Sequence, residues 1–489
     1  MPDGTLTMLV EPEPTVLVAL TNCADPSMLV SAKVTEGLLS YDFDLTPQPE
    51  LATGWQVSAD GLEIAFELRR GVRWHDGEPF TSRDVAHSIE LLKTVHPRGR
   101  ATFAAVETVL TPDPHRAILK LSRPAPFLLR ALAACEAPIV PSHLYRSPER
   151  GRHNDVAPIG TGPFVFEEWV RGQHIRYRRN EDYWDNPKPG IDRLIVRFIE
   201  DEAEKAAALE AGRLDLAPAT PVPFDTLARL KTLPMLAFET GGYQYTNQIV
   251  RLEFNLDDPL MRQKPLRRAI AHAIDRRLLI EDAWAGYATP AFGPISPDLK
   301  AFCATDLAPP AFDPAEARKL LAGFPGLALT LDFVPAGDGY RRTADAVARC
   351  LDTVGIDVTV RAQDFAAYTH RIYSDRAFQL TIGRMNNMFD PSVGVQRAYW
   401  SQNFKPGVPF SNGAHYSNAE VDSLLERAAV ENDPTERVAL FDRFQRQIVD
   451  DLPDIALLAP LQITVAHRRV RGHTTGACGP AASLAAVSL

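Results

Sequence analysis

Apolar and polar positions alternate with several distinct periods along the chain, and each period predicts a different element. Between 62 and 68 the residues Leu62, Ile64, Phe66 and Leu68 recur every second position, the mark of a strand with one buried face, entered through the Asp60-Gly61 turn. After HDGEPF the period lengthens: Val85, Ile89 and Leu92 fall on one helical face, and Thr81 with Asp84 has capping-box spacing, so a helix starts there. From Asp192 to Leu216 the order is strand DRLIVRFI, helix EAEKAAALEAG closing on Gly212, then strand LDLA. This is a βαβ pattern, which implies a parallel α/β sheet.

A second such region begins at 313. Asp313 stands as N-cap with Pro314 at the first helical position and Gly323 at the end of DPAEARKLLAG; strand LALTLDFV, helix YRRTADAVARCLDTVG ending on Gly355, and alternating IDVTVRAQ follow. Further on, Ser417 with Glu420 and Asp433-Pro434 with Glu436 mark the starts of two amphipathic helices. The strand-like ALLAPLQITVAHRRV comes next, and the tail after Gly472 is expected to be loosely held.

Length adds that 489 residues exceed what one hydrophobic core fills, so two or three units are expected. Forty prolines spread along the chain favour a mixed architecture with many turns. A formal net charge of −10 argues against a nucleic-acid partner. No run of apolar residues approaches the ~18 that a membrane span needs. The opening MPDGTLTMLVEPEP holds neither a basic nor an apolar leader region, so a secretory signal is expected to be missing from this sequence. The five cysteines, Cys23, Cys135, Cys303, Cys350 and Cys478, form no CxxC and leave disulfide pairing undecided.

Candidate chemistry is sparse. None of the twelve histidines forms an HExxH, none lies near a cysteine pair, and His75 in WHDG reads as turn chemistry. A GxSxG elbow is missing, and GTGPF at 160–164 runs into a strand pattern where a phosphate cradle needs a helix. No catalytic residue, metal ligand or cofactor is therefore expected, and an α/β hydrolase with an unidentified site survives only as an alternative. The least ordinary stretch is TIGRMNNMFDP at 381–391 with AYWSQNF at 398–404. There the strand FQLTIG is expected to end, and the following residues either line a ligand crevice or pack on their own aromatics. Arg384 is a natural anion clamp, Asn386 and Asn387 can donate and accept, and Tyr399 and Trp400 could stack on a ligand.

Several segments in order resemble the extracytoplasmic solute-binding proteins of family 5, which serve peptide and nickel ABC importers. The resemblance is carried by EGLLSYDFDLTPQPELATGWQVSADGLEIAFELRRGVRWHDGEPFTSRDVAHSIE (36–90), IGTGPFVFEEWVRGQHIRYRRNEDYW (159–184), DRLIVRFIEDEAEKAAALEAGRLDLA (192–217), FNLDDPLMRQKPLRRAIAHAID (254–275), DPAEARKLLAG (313–323) and HYSNAEVDSLLERA (415–428). It implies an α/β clamshell of two lobes with mixed sheets, the type II, large three-domain class of periplasmic binding proteins. Lobe 1 is expected from 1–39, 161–248 and 458–489, an extra domain from 40–160, and lobe 2 from 249–457.

The same resemblance implies a periplasmic, monomeric receptor that is not an enzyme. It would close on a small solute and deliver it to the permease subunits of an ABC importer. In the dipeptide receptors an aspartate and an arginine hold the peptide's two charged ends; here those places fall at Asn387 and near Val334. A dipeptide's buried charges would go unpaired, at a cost of several kcal/mol. A small polar or anionic solute is expected instead, with an oligopeptide or a nickel chelate as alternatives within the family. Arg384 stands where the family usually has an aromatic; it contacts the ligand, or Asp390 neutralises it. The expected ligand contacts are Arg384, Asn386, Asn387, Asp390, Trp400, Tyr399, Tyr245 and Asn22.

Overall fold

The period-two stretch at 62–68 forms the strand Glu63–Leu68, with Ile64, Phe66 and Leu68 buried. In the computed structural model, which describes residues 4–489, it lies in a four-stranded antiparallel sheet ordered Ala52–Val57, Glu63–Leu68, Arg116–Leu121, Val106–Asp113. The helix expected after it spans Ser82–Thr94. Both halves of its capping box are made, and Val85, Ile89 and Leu92 are buried. Satisfying the free N–H groups of the first turn in this way fixes where the helix begins.

The chain divides into two units, one comprising everything up to Tyr245 together with Gln462–Leu489, the other Thr246–Leu461. The first unit is built on a seven-stranded sheet ordered Leu236–Glu239, Thr464–His467, Leu216–Ala217, Thr5–Leu9, Arg193–Arg197, His174–Arg179, Phe164–Val170. The expected strand-helix-strand at 192–216 is present as Arg193–Arg197, Glu202–Glu210 and Leu216–Ala217. Its two strands are not neighbours, however. Thr5–Leu9 lies between them and runs parallel to both, so a βαβ crossover encloses a strand from the start of the chain. Leu6, Met8, Tyr177, Leu194, Val196 and Leu216 form the core on this sheet.

The tail after Gly472 departs from expectation, because it is tied down. Arg471 and Ser488 exchange backbone hydrogen bonds of 3.0 and 3.1 Å, and Ala477 N–H donates to the Tyr41 carbonyl at 3.1 Å. The fully buried Lys33 ammonium donates to the carbonyl oxygens of Pro480, at 2.6 Å, and of Ala482. Small residues made the segment look loose; they are what lets it approach other backbone closely. A Cβ on Gly476 would come within 2.2 Å of the Tyr41 carbonyl oxygen.

The second unit holds a six-stranded mixed sheet ordered Ala288–Pro290, Asp454–Pro460, Gln248–Phe254, Leu380–Asn386, Ala328–Phe333, Asp357–Arg361. Here the two helix-strand repeats read from sequence appear as Pro314–Leu321, Ala328–Phe333, Asp338–Asp352 and Asp357–Arg361, the two strands paired parallel. Asp313 caps the first helix through the N–H groups of Ala315 and Glu316, and Asp433 caps Pro434–Asp451 in the same way. The helix Ala419–Val430 starts one residue later than expected, with Asn418, not Ser417, accepting from the N–H groups of Glu420 and Val421. Asparagine is at least as good an N-cap as serine, so the adjacent residue prevails. ALLAPLQITVAHRRV divides between Asp454–Pro460 in this sheet and Thr464–His467 in the first unit's sheet.

Candidate functional site

Of the eight residues expected to touch ligand, Asn22 and Tyr245 lie in the first unit and six in the second. In the second unit the strand expected to end at Gly383 continues to Asn386, which places Arg384 and Asn386 on the strand itself. Arg384 stands opposite Val250 and Asn386 opposite Gln248 in the antiparallel ladder with Gln248–Phe254. Both side chains are half-buried. A strand held by a ladder fixes a side chain's position better than a loop does, as a binding group requires.

Among the described residues the Arg384 guanidinium makes no ion pair. Its contact is with the face of Phe410, the carbon of the guanidinium lying 6.0 Å from the ring centroid. Asp390 does not neutralise it. That carboxylate is fully buried and held bidentately by Arg437 at 2.7 and 2.8 Å, and it also caps the short helix Pro391–Gly394 by accepting from Ser392 N–H at 2.9 Å. Arg437 is itself buried, donating further to the Ala428 carbonyl at 2.8 Å and to Ser392 Oγ at 2.9 Å. Asp390 was expected to face a ligand; both of its oxygens are committed to structure.

Asn387 is also fully buried. Its Oδ1 accepts from Ser296 N–H at 2.5 Å and its Nδ2 donates to the Met385 carbonyl at 3.3 Å, so the side chain fastens one loop to another. Gly394 lies against its backbone, where a Cβ would come within 2.0 Å of the Asn387 carbonyl oxygen. Val334, the other place at which a peptide anchor was expected, is an apolar residue with no exposure.

Tyr399 is buried and donates through its hydroxyl to Asp454 at 2.7 Å. Trp400 is half-buried, its indole N–H donating to Glu426 at 2.9 Å. In the first unit the buried Tyr245 hydroxyl donates to the Arg130 carbonyl at 2.8 Å. Asn22 bonds locally, donating to Thr15 Oγ1 and accepting from Ala24 N–H, each at 2.8 Å. His75 is a structural residue: its Nδ1 accepts from Gly160 N–H at 3.3 Å, which leaves Nε2 to donate to the Gly162 carbonyl at 2.9 Å. Burial pushes this imidazole down to about 4.

One polar cluster was missed from sequence. Arg251 and Glu253, alternate residues of Gln248–Phe254, pair with each other, and Arg251 also pairs with Asp454 at 2.6 Å beneath Tyr399. All are buried, and burial raises the Glu253 carboxyl above its ordinary value despite the adjacent Arg251. Two opposite charges at i and i+2 inside a largely apolar strand was the available signal, since both project from one face. Among the described residues Glu253 Oε1 and Arg251 Nε have no hydrogen-bond partner. No group of three or more His, Cys, Asp or Glu among the described residues could hold a metal ion. No helix among them is long and apolar enough to cross a membrane.

Residues 46–407 match the model of the bacterial extracellular solute-binding proteins, family 5 Middle. The glutathione-binding protein GsiB of Salmonella choleraesuis is 28% identical over 460 residues, which is 91% of this chain and 87% of that protein. Among solved structures, the periplasmic binding protein AgaA from A.tumefacien R10, in complex with agropinic acid, superposes with a TM-score of 0.79 at 26% identity, covering 99% of both chains. The ABC transporter substrate-binding protein CtaP of Listeria monocytogenes shares the fold with a TM-score of 0.88 at 21% identity, over 100% of this chain and 99% of that one.

Proposed function

Since the chain belongs to the bacterial extracellular solute-binding proteins of family 5, we propose that its solute is a small polar or anionic molecule held in part by Arg384. Members of this family are the receptors of ABC importers. They carry small-molecule ligands to a membrane permease and catalyse no reaction.

The observation that carries the ligand reading is the half-buried guanidinium of Arg384, set on a strand and making no ion pair among the described residues. A partly desolvated cation without a partner is costly, and a carboxylate or another strong acceptor on the ligand would relieve that cost through charge-assisted hydrogen bonds. Asp390, the acid nearest in sequence, is engaged by Arg437. The ligands named for GsiB and AgaA, glutathione and agropinic acid, both bear acid groups that a guanidinium can pair with. A free-ended dipeptide fits less well. Asn387 and Val334 offer no charge to its ends, and both are buried. Asn386 on the same strand and Trp400 on the following segment are the further contacts we assign to the solute, within an extracytoplasmic, monomeric receptor.

Native mass spectrometry of the protein as purified, then titration calorimetry with glutathione, agropinic acid and a dipeptide panel, tests this reading. Arg384→Ala is expected to weaken the tightest ligand at least tenfold, about 1.4 kcal/mol, with the melting temperature of the unliganded protein unchanged. Equal affinity in the variant would remove Arg384 from the pocket, and a dipeptide binding more tightly than either acid would overturn the choice of solute.

A further inference from the structure

Five cysteines lie far apart in the sequence, yet the fold of the first unit brings two of them together. The sulfur of Cys135 is 3.9 Å from that of Cys478, across 343 positions of sequence. Among the described residues no other two sulfur atoms of cysteines are in contact.

The two backbone segments are already aligned. Tyr41 joins them: its hydroxyl accepts from Leu132 N–H at 3.1 Å and donates to the Leu129 carbonyl at 2.8 Å, while its own carbonyl accepts from Ala477 N–H at 3.1 Å. Tyr245 repeats the device, donating from its hydroxyl to the Arg130 carbonyl at 2.8 Å and from its backbone N–H to the Ala477 carbonyl at 3.1 Å. The two rings pack with centroids 5.3 Å apart. Lys33 fastens the following turn through the Pro480 and Ala482 carbonyls. Closing the sulfur separation to the ~2.05 Å of a covalent bond takes a shift of roughly 1.8 Å, within the reach of side-chain rotation.

We infer that Cys135 and Cys478 form an intramolecular disulfide in the mature protein, locking the C-terminal tail onto the segment around 131–139. Extracellular solute-binding proteins work in oxidising surroundings, where such a bond persists. The reaction is exchange with a disulfide donor of the thiol oxidoreductase class. One cysteine thiolate attacks the donor's S–S bond and expels one donor thiol. The second cysteine then attacks the mixed disulfide and expels the other. Two protons and two electrons leave the pair, and the donor ends as two thiols. Cys135 is buried in the folded unit, so the exchange belongs to the folding chain as the tail docks.

The full-length protein, reduced and unfolded, is refolded with and without bis(2-hydroxyethyl) disulfide and alkylated in denaturant without reductant. The oxidised sample is expected to take up alkyl groups at Cys23, Cys303 and Cys350 only. Its tryptic digest is expected to contain peptides 131–146 and 472–489 joined, 2 Da lighter than their sum. Oxidation is also expected to raise the melting temperature by several degrees, and Cys478→Ser, refolded identically, to melt like the reduced chain. Five alkylated cysteines, a mixed disulfide with the donor, a bridge to Cys23, Cys303 or Cys350, or a linked form that melts no higher than the reduced one would overturn the inference.

Discussion

Replacing Asp390 separates two roles that one carboxylate could play. With no exposed surface, it holds the guanidinium of Arg437, whose side chain is 6% exposed, through bonds of 2.7 and 2.8 Å. Arg437 also lies over the rings of Phe302 and Phe441, at 5.1 and 5.3 Å. Asp390→Ala leaves that guanidinium charged, because arginine does not lose its proton at accessible pH, and surrounded by aromatics. Removing one member of a buried pair costs about 3–5 kcal/mol, and loss of the cap on Ser392 N–H adds about 1 kcal/mol. In a unit the size of Thr246–Leu461, each kcal/mol moves the midpoint by about 2–4 °C, so a drop of at least about 8 °C is expected by calorimetry. Asp390→Asn keeps the cap and one acceptor and is expected to lose roughly half as much. The double variant Asp390→Ala/Arg437→Met, which removes both charges, should recover part of the loss. If Asp390→Asn melts within 1 °C of the unaltered protein while ligand affinity falls tenfold, the residue serves the ligand and the structural reasoning fails.

Burial raises the Glu36 carboxyl from 4.5 to about 7, opposed by hydrogen bonds from Trp184 and Tyr183. The folded chain therefore holds a proton that the unfolded chain has lost, so this group's stabilisation is complete below pH 4.5 and disappears as pH rises through about 7. Denaturant titrations of the unaltered protein and Glu36→Gln should diverge across that window by on the order of 3 kcal/mol; parallel profiles would rule the group out. Gly160→Ala would place a Cβ 1.9 Å from the Val34 carbonyl oxygen, and overpacking of that kind costs typically about 1–3 kcal/mol. Its melting temperature should drop accordingly, whereas Gly54→Ala, which meets nothing within 4 Å, should be nearly neutral; equal midpoints for the two would contradict the packing described.

Periodicity and capping chemistry made most elements legible, because they act within a few residues. The Thr81–Asp84 box, the Asp313 and Asp433 caps, and the buried stripe Ile64, Phe66, Leu68 needed no partner from elsewhere in the chain to be read. The start at Asn418 was displaced by one position because Ser417 and Asn418 are both good caps, and only the backbone path selects between them. The strand through Arg384 was longer than its pattern suggested, because Gln248–Phe254 supplies a ladder that extends to Asn386. Tertiary pairing overrides a weak local signal.

The sequence by itself determined the class of this protein, since six short segments in order carry a family's architecture, and a charge of −10 argues against a nucleic-acid partner. Which polar residues are free to meet a solute was decided only by tertiary structure. Asp390, Asn387 and Arg384 look equally available within eleven residues of sequence, yet Arg437, 47 positions away, occupies the first, and Ser296, 91 positions away, occupies the second. Among the described residues the guanidinium of Arg384 is left without a carboxylate. The physical reason is that a buried polar group must find its partner wherever the chain brings one, and sequence separation carries no information about that distance.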